Sequence, residues 1–263
     1  MCAPEAERLV ARERAAFLLL YPGARIGMRT GTSREAVRAL FAAECDLAVI
    51  TRELDVEERA AAVRGRLELE GYRFARDAVV PIVHPSNPVQ NIAIEQLRRI
   101  YDGTLTNWSE LGGRPEPIEP VIQPVESDIS QFFLQQVMGG APITARVFTE
   151  ASSDRVVARV LAERRAIGYT SIATADSGVK ALAVASVLGL PYFKPDAEAV
   201  YQGSYPMTRF FNLYVRAGGA QLGNGFITFV TSGDGQALVH DYGLVPTAVP
   251  VRFVRRSPML GTH

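Results

Sequence analysis

Apolar positions recur along this chain with two periods, one suited to helices and the other to buried strands. Val10, Ala16, Phe17 and Leu20 form a helical stripe, and Tyr-Pro-Gly at 21–23 ends it. Residues 24–28 read as a short strand. From Ser33 a second helix places Val37, Leu40 and Phe41 on one face. The run 46–50 is of buried-strand type and ends in the polar step Thr-Arg-Glu-Leu. A helix around 57–66 and strand-like residues 78–84 follow. Asn91 is placed to cap a helix carrying Ile94, Leu97, Ile100 and Tyr101. Beyond a loop at 102–113 come a strand at 118–124 and a helix with Phe133, Leu134, Val137 and Met138 inward. A helix over 154–163 and strands at 166–172, 179–184 and 209–215 come next. A helix around 226–230 and a last helix ending at Gly243 complete the pattern.

Repeated strand–helix alternation predicts an α/β fold with mostly parallel sheets. In such sheets ligands sit at the carboxyl ends of strands, beside helix starts. The chain has 263 residues, with 28 basic and 28 acidic side chains, so no global field points to nucleic acid or to an acidic membrane surface. Its apolar runs are strand-length, far short of a membrane span. Cys2 and Cys45 form no CxxC pair, and His84, His240 and His263 lie far apart, so neither a metal nor another cofactor is expected. The first residues open almost directly into a helix with mixed charges and carry no secretory leader pattern.

Three polar junctions carry the candidate chemistry. In Arg-Thr-Gly-Thr-Ser-Arg-Glu at 29–35, Thr32 with Glu35 fits a capping box that explains both residues without a ligand. The same helix start can bind an anion through its unpaired amides and positive dipole end, with Ser33 adding a hydroxyl and Arg29 or Arg34 a charge. Thr51 and Arg52 close the strand 46–50 as a strand-end pair. At 123–133, Ser127 can cap the next helix with Asp128 in its first turn. Alternatively Ser127, Ser130 and the amides of Asp128 and Ile129 face a cleft. Glu35 and Asp128 count against an anionic ligand in either loop.

The order of these junctions resembles that of phosphate-type periplasmic solute-binding proteins of ABC transporters. Their first-lobe segment is similar to residues 31–54. The Asn-Pro, Leu-rich helix and Thr-Asn-Trp pattern matches 80–113, and the Ala-Ile-Gly-Tyr block matches 166–169. Residues 179–184, 204–215 and 226–246 continue the likeness, which covers nearly the whole chain. The resemblance implies a two-lobed type II periplasmic-binding-protein fold, each lobe a mixed, mostly parallel sheet flanked by helices. Lobe I would comprise 1–79 and 201–263, and lobe II 80–200, with crossovers near 77–83 and 205–211. It implies ligand contacts at Ser33, Thr51, Arg52, Ser127, Asp128 and Ile129, to which the same loops add Thr32, Glu126 and Ser130 as candidates. Glu126 would accept a proton from the ligand.

Two departures accompany the likeness. Gln123 and Ser130 stand where the family commonly carries arginines, and Asp128 stands for its glycine. A guanidinium binds phosphate through two prongs, which Gln and Ser cannot reproduce. The family also opens with an interior strand and a ligand-touching loop, and both are expected to be missing here because the chain begins too late. The resulting expectation is a non-enzymatic, monomeric, periplasmic or extracellular protein that passes phosphate or a similar tetrahedral oxyanion to an ABC transporter permease. The alternative is a sensor or interaction module on the same fold with weak or altered binding. No nucleophile elbow, Gly-x-x-x-x-Gly-Lys loop or His-plus-nucleophile motif supports an enzyme. Trp108 is expected to pack beneath its loop, and the basic tail 251–263 to form a strand edge.

Overall fold

The computed structural model describes residues 1–218 and 221–247; the tail 251–263 and His263 lie outside the described residues. The principal sheet runs in the order Leu47–Ile50, Thr208–Arg216, Leu69–Val83, Ala166–Ser171, Glu119–Ile122, Phe148–Thr149. A separate parallel pair joins Asn91–Ala93 to Ala183–Ala185. Every antiparallel pairing among these strands involves Leu69–Val83 or Thr208–Arg216. The parallel pairings lie elsewhere, where helices connect successive strands.

Leu69–Val83 is the organising strand. Its first part pairs with Thr208–Arg216 as far as Ala78, and from Val79 onward it pairs with Ala166–Ser171. It therefore leaves one half of the molecule and enters the other between adjacent residues. The apolar cores divide at the same place. One core gathers Val79–Val83 with Leu97, Phe133 and Ile167; another gathers Leu9, Phe17, Phe74, Phe211 and Val230; a third holds Val37, Leu40 and Ile50. This is the two-lobed α/β layout expected from the sequence.

Local signals place most elements. Thr32 accepts from the Glu35 amide at 3.2 Å while Glu35 accepts from the Thr32 amide at 2.8 Å, a complete capping box for the helix Ser33–Phe41. Asp55 and Glu58 form a second box at Val56–Arg64. Trp108 is buried beneath its loop, its indole donating to the Arg165 carbonyl at 3.0 Å.

Several expectations are corrected. Asn91 begins a strand instead of capping a helix, and the Gln96 side chain takes the Ala93 amide at 2.9 Å. Leu20 is exposed at the C-terminal end of its helix. Residues 24–28 form no strand; the short segment that pairs nearby does so at Thr30, beyond this stretch. That segment is Met1–Ala3, which occupies an interior position of the first lobe. Cys2 bridges both Thr30 and Val49 in parallel, with Cys2 N to Arg29 O at 2.9 Å and Ala3 N to Val49 O at 2.8 Å. Met1–Ala3 thus fills the interior place expected to be empty, and the turn Pro4–Ala6 follows it. A cavity of about 420 Å³ lies between residues 25–29 and 44–49, with Met1 and Cys2 in its wall.

Candidate functional site

A layer of buried polar side chains separates the apolar cores: Ser33, Thr51, Asp77, Asp128, Arg209 and Asn212 are all less than a tenth exposed. Beside it opens a cleft of about 460 Å³ between the two lobes. Because unpartnered polar groups in such a layer are costly, their partners report what the site is built to hold.

The first lobe contributes donors. Ser33 is the first residue of its helix and lines the cleft, and Thr51, fully buried beside it, follows the strand Leu47–Ile50. They converge on one oxygen. Asp128 Oδ2 accepts from Ser33 Oγ, from Thr51 Oγ1 at 2.6 Å and from the Thr51 amide at 3.4 Å. Asp128 opens the helix Asp128–Gln136 in the other lobe, so these bonds cross the cleft. Arg52 lies at the margin, its Nε 3.7 Å from Asp128 Oδ1. Its fork is taken by Glu58 through two 2.7 Å bonds. Burial, the largest single influence, would lower the Arg52 pKa, but Glu58 together with Asp128 and Asp55 outweighs it and the net shift is upward.

A second carboxylate completes the centre. Glu5, on the turn Pro4–Ala6, accepts from the Ile129 amide at 3.1 Å and from Arg209 Nη2 at 2.5 Å. Burial raises the Glu5 pKa, Arg209 opposes this, and the neighbouring Asp128 raises it further. Arg209 is 4% exposed and held in place by Asp77, which accepts from its Nε at 2.9 Å. Asp77 is itself fixed by Ser171 Oγ at 2.7 Å and the Ile172 amide at 3.1 Å. Burial works to lower the Arg209 pKa, yet Glu5 and Asp77 more than offset it, so the guanidinium stays charged. Arg209 Nη1 is buried without a hydrogen-bond partner, and its residue lines the cleft.

Four sequence candidates therefore meet at the centre: Ser33, Thr51, Asp128 and the amide of Ile129. Thr32, Glu126 and Ser127 line the cleft. The Thr32 hydroxyl is engaged with Glu35 at 3.0 Å, and Ser127 Oγ accepts from the Ser130 amide at 3.3 Å. Ser130 is a correction. Its hydroxyl turns into the second lobe, donating to the Gln123 carbonyl at 3.1 Å and lying 2.8 Å from the Tyr169 hydroxyl. Arg29 and Arg34 do not make up for the absent arginines. Arg29 donates to Glu44 O at 2.9 Å, and Arg34 sits 3.8 Å from Asp55 on an exposed face. Gln123 donates to Ser153 Oγ at 3.0 Å. The cation at the centre is Arg209, from the crossover strand.

Sequence reasoning missed Glu5, Asp77 and Arg209. The signal for the last two was a charge inside each otherwise apolar crossover run. Glu5 offered no such pattern. Chemically, the assembled donors suit an oxygen-rich anion: hydroxyls, main-chain amides and one buried guanidinium surround positions now filled by carboxylate oxygens.

Comparison with known proteins places this geometry. A family model described as a PBP superfamily domain matches residues 8–234. The phosphate-binding protein PstS of Bacillus subtilis is 31% identical over 180 residues, which is 68% of this chain and 58% of that protein. The phosphate-binding protein PstS of Pseudomonas aeruginosa is 24% identical over 249 residues, 88% of this chain and 77% of that one. The crystal structure of an ABC-type phosphate transport receptor from Vibrio cholerae superposes with a TM-score of 0.77 at 23% identity, covering 93% of this chain and 98% of the other. With most of its length matched in sequence and its two-lobed fold shared, the chain belongs to the PBP superfamily.

Proposed function

We propose that this protein is a solute-binding component of an ABC transporter, taking a tetrahedral oxyanion, with phosphate the first candidate, between its lobes. The carrying observation is the convergence of Ser33 Oγ, Thr51 Oγ1 and Thr51 N on a single anionic oxygen that arrives from the opposite lobe. A point that holds one carboxylate oxygen through three donors has the electrostatics to hold a phosphate oxygen. Arg209 and the Ile129 amide would take further oxygens, and Glu126, exposed at the cleft, would accept the ligand's proton. The phosphate-binding relatives support the choice of ligand.

Binding would close the lobes about the crossover strands, and differential affinity for the closed form drives such closure. The division proposed from the sequence, 1–79 with 201–263 against 80–200, needs one refinement. Tyr205 and Met207 pack into the middle segment's core, which favours a second boundary near Thr208. The protein would act outside the cytoplasm, as a monomer, handing its ligand to a permease and catalysing nothing. Among the described residues no helix is long and apolar enough to cross a membrane. Titration calorimetry with phosphate, sulfate, molybdate and tungstate tests the reading, on the wild type and on Asp128→Gly. Heats equal to dilution for both proteins with all four anions would overturn it.

The alternative, a sensor or interaction module on the same fold, draws on one observation: the donors are already occupied by the protein's own carboxylates.

A further inference from the structure

We propose that Asp128 and Glu5 are built-in competitors for the oxyanion, latching the lobes together in the absence of solute. The inference rests on the oxyanion reading above and concerns the regulation of that same site.

The geometry is specific. Asp128 belongs to the second lobe, and all its side-chain acceptor bonds run to the first: Ser33 Oγ, Thr51 Oγ1 and Thr51 N. Glu5 belongs to the first lobe and accepts the Ile129 amide of the second at 3.1 Å. Each lobe therefore inserts a carboxylate into donors of the other. The two insertions are neighbours, since Thr51 Oγ1 lies 2.6 Å from Asp128 and 3.4 Å from Glu5. A solute-binding protein that depends on its ligand for closure leaves such donors for the solute. Here a single solute oxyanion would have to replace both carboxylates.

Burial separates this latch from ordinary surface pairing. Arg8 and Asp154 also bridge the cleft at 2.9 Å, but their side chains are 72% and 50% exposed, where ion pairs contribute little. Ser33, Thr51 and Asp128 are buried, so their bonds are charge-assisted and screened weakly. The centre nonetheless carries a mark of incompleteness. Arg209 Nη1, in a residue 4% exposed, has no partner while its other two nitrogens do. Glu5 and Asp77 leave the Nη1 nitrogen unserved, where a tetrahedral anion in the place of Glu5, with more acceptor oxygens, would serve it. The latch is thus an imperfect substitute for the solute and can be displaced by it. The result is a receptor closed at rest, with solute affinity reduced by the competition it must overcome.

The experiment pairs calorimetry with small-angle X-ray scattering on the full chain, comparing wild type, Asp128→Gly and Asp128→Asn. Inorganic phosphate is the probe. Removing the competitor should tighten phosphate binding about tenfold or more in Asp128→Gly, as charge-assisted donors become available. Asp128→Asn should show a smaller gain, because its amide oxygen still accepts, and it serves as the readout should the glycine variant not fold. Without phosphate, the wild type should scatter as a closed particle whose radius of gyration phosphate does not change. Asp128→Gly should be larger and contract on phosphate addition. Equal affinities within threefold, or a wild type that contracts with phosphate as the variant does, would overturn the latch while leaving the oxyanion reading intact. Expansion of Asp128→Gly without binding of phosphate, sulfate, molybdate or tungstate would support the latch and overturn the oxyanion reading.

Discussion

Two helix starts face each other across the cleft, built to one plan and used in opposite ways. Each opens a nine-residue helix, and each is capped by a hydroxyl, Thr32 in one lobe and Ser127 in the other. In the first, the carboxylate stands at the third helical position, where Glu35 folds back onto the cap and stays exposed, while Ser33 at the first position donates into the cleft. In the second, the positions are exchanged: Asp128 at the first position crosses the cleft as an acceptor, and Ser130 at the third turns inward to Gln123 O and Tyr169. A carboxylate at a helix start complements the dipole in both cases. Its position within the first turn decides whether it serves its own cap or occupies a neighbour's binding site.

The sharpest way to break this arrangement is to remove the cation behind it. Arg209→Met leaves Asp77 and Glu5 buried without their shared partner, and urea unfolding should report a loss of about 3–5 kcal/mol. A smaller loss than about 1 kcal/mol would mean that Arg209 does not hold the centre together.

Next in size is the contrast between the two caps, measured in the Asp128→Gly background so that the donors are available. There, Ser33→Ala should weaken phosphate about tenfold to a hundredfold, the value of a hydrogen bond to a charged group. Ser127→Ala should leave affinity within about threefold and instead destabilise the helix by about 0.5–2 kcal/mol. Equal effects of the two substitutions on affinity would erase the distinction between donor and cap.

Glu5 supplies a pH test. Its folded-state pKa is raised, chiefly by burial, so the native protein holds that proton more tightly than the unfolded chain does. The associated stability is present below the ordinary glutamate range and is lost as pH rises through the raised value. Each pH unit of that window is worth about 1.4 kcal/mol. Glu5→Gln should therefore unfold with a flatter pH dependence than wild type over that window, and parallel curves would deny the raised pKa. The smallest effect is expected from the exposed bridge: Arg8→Ala should change stability by about 0.5 kcal/mol or less in thermal melts.

Much of this was legible in the residues themselves. The capping box at Thr32 and Glu35, the strand ending at Ile50 and the helix opening after Ser127 all depend on neighbours within a few positions, and all are present. The placement of both helix starts beside one cleft followed from the family resemblance that the order of motifs carries. Residues 24–28 misled because their alternation is strand-like while the pairing with Met1–Ala3 falls just beyond them, at Thr30. Asn91 misled because a capping residue type gives way when a parallel partner, Ala183–Ala185, offers backbone bonds instead.

By itself, then, the sequence determined the alternation of elements, the α/β class and the hydroxyl-bearing helix starts, because periodicity and capping are set by residues close along the chain; the two lobes came from the family resemblance. Only the tertiary structure decided which side chains meet. Asp128 reaches Ser33 across 95 positions and Arg209 reaches Glu5 across 204. Whether a first-turn carboxylate caps its own helix or fills the opposing site depends on the direction in which each lobe presents it. That direction is fixed by the pairing of Leu69–Val83 with its partners in both lobes, a long-range fact that no local pattern encodes.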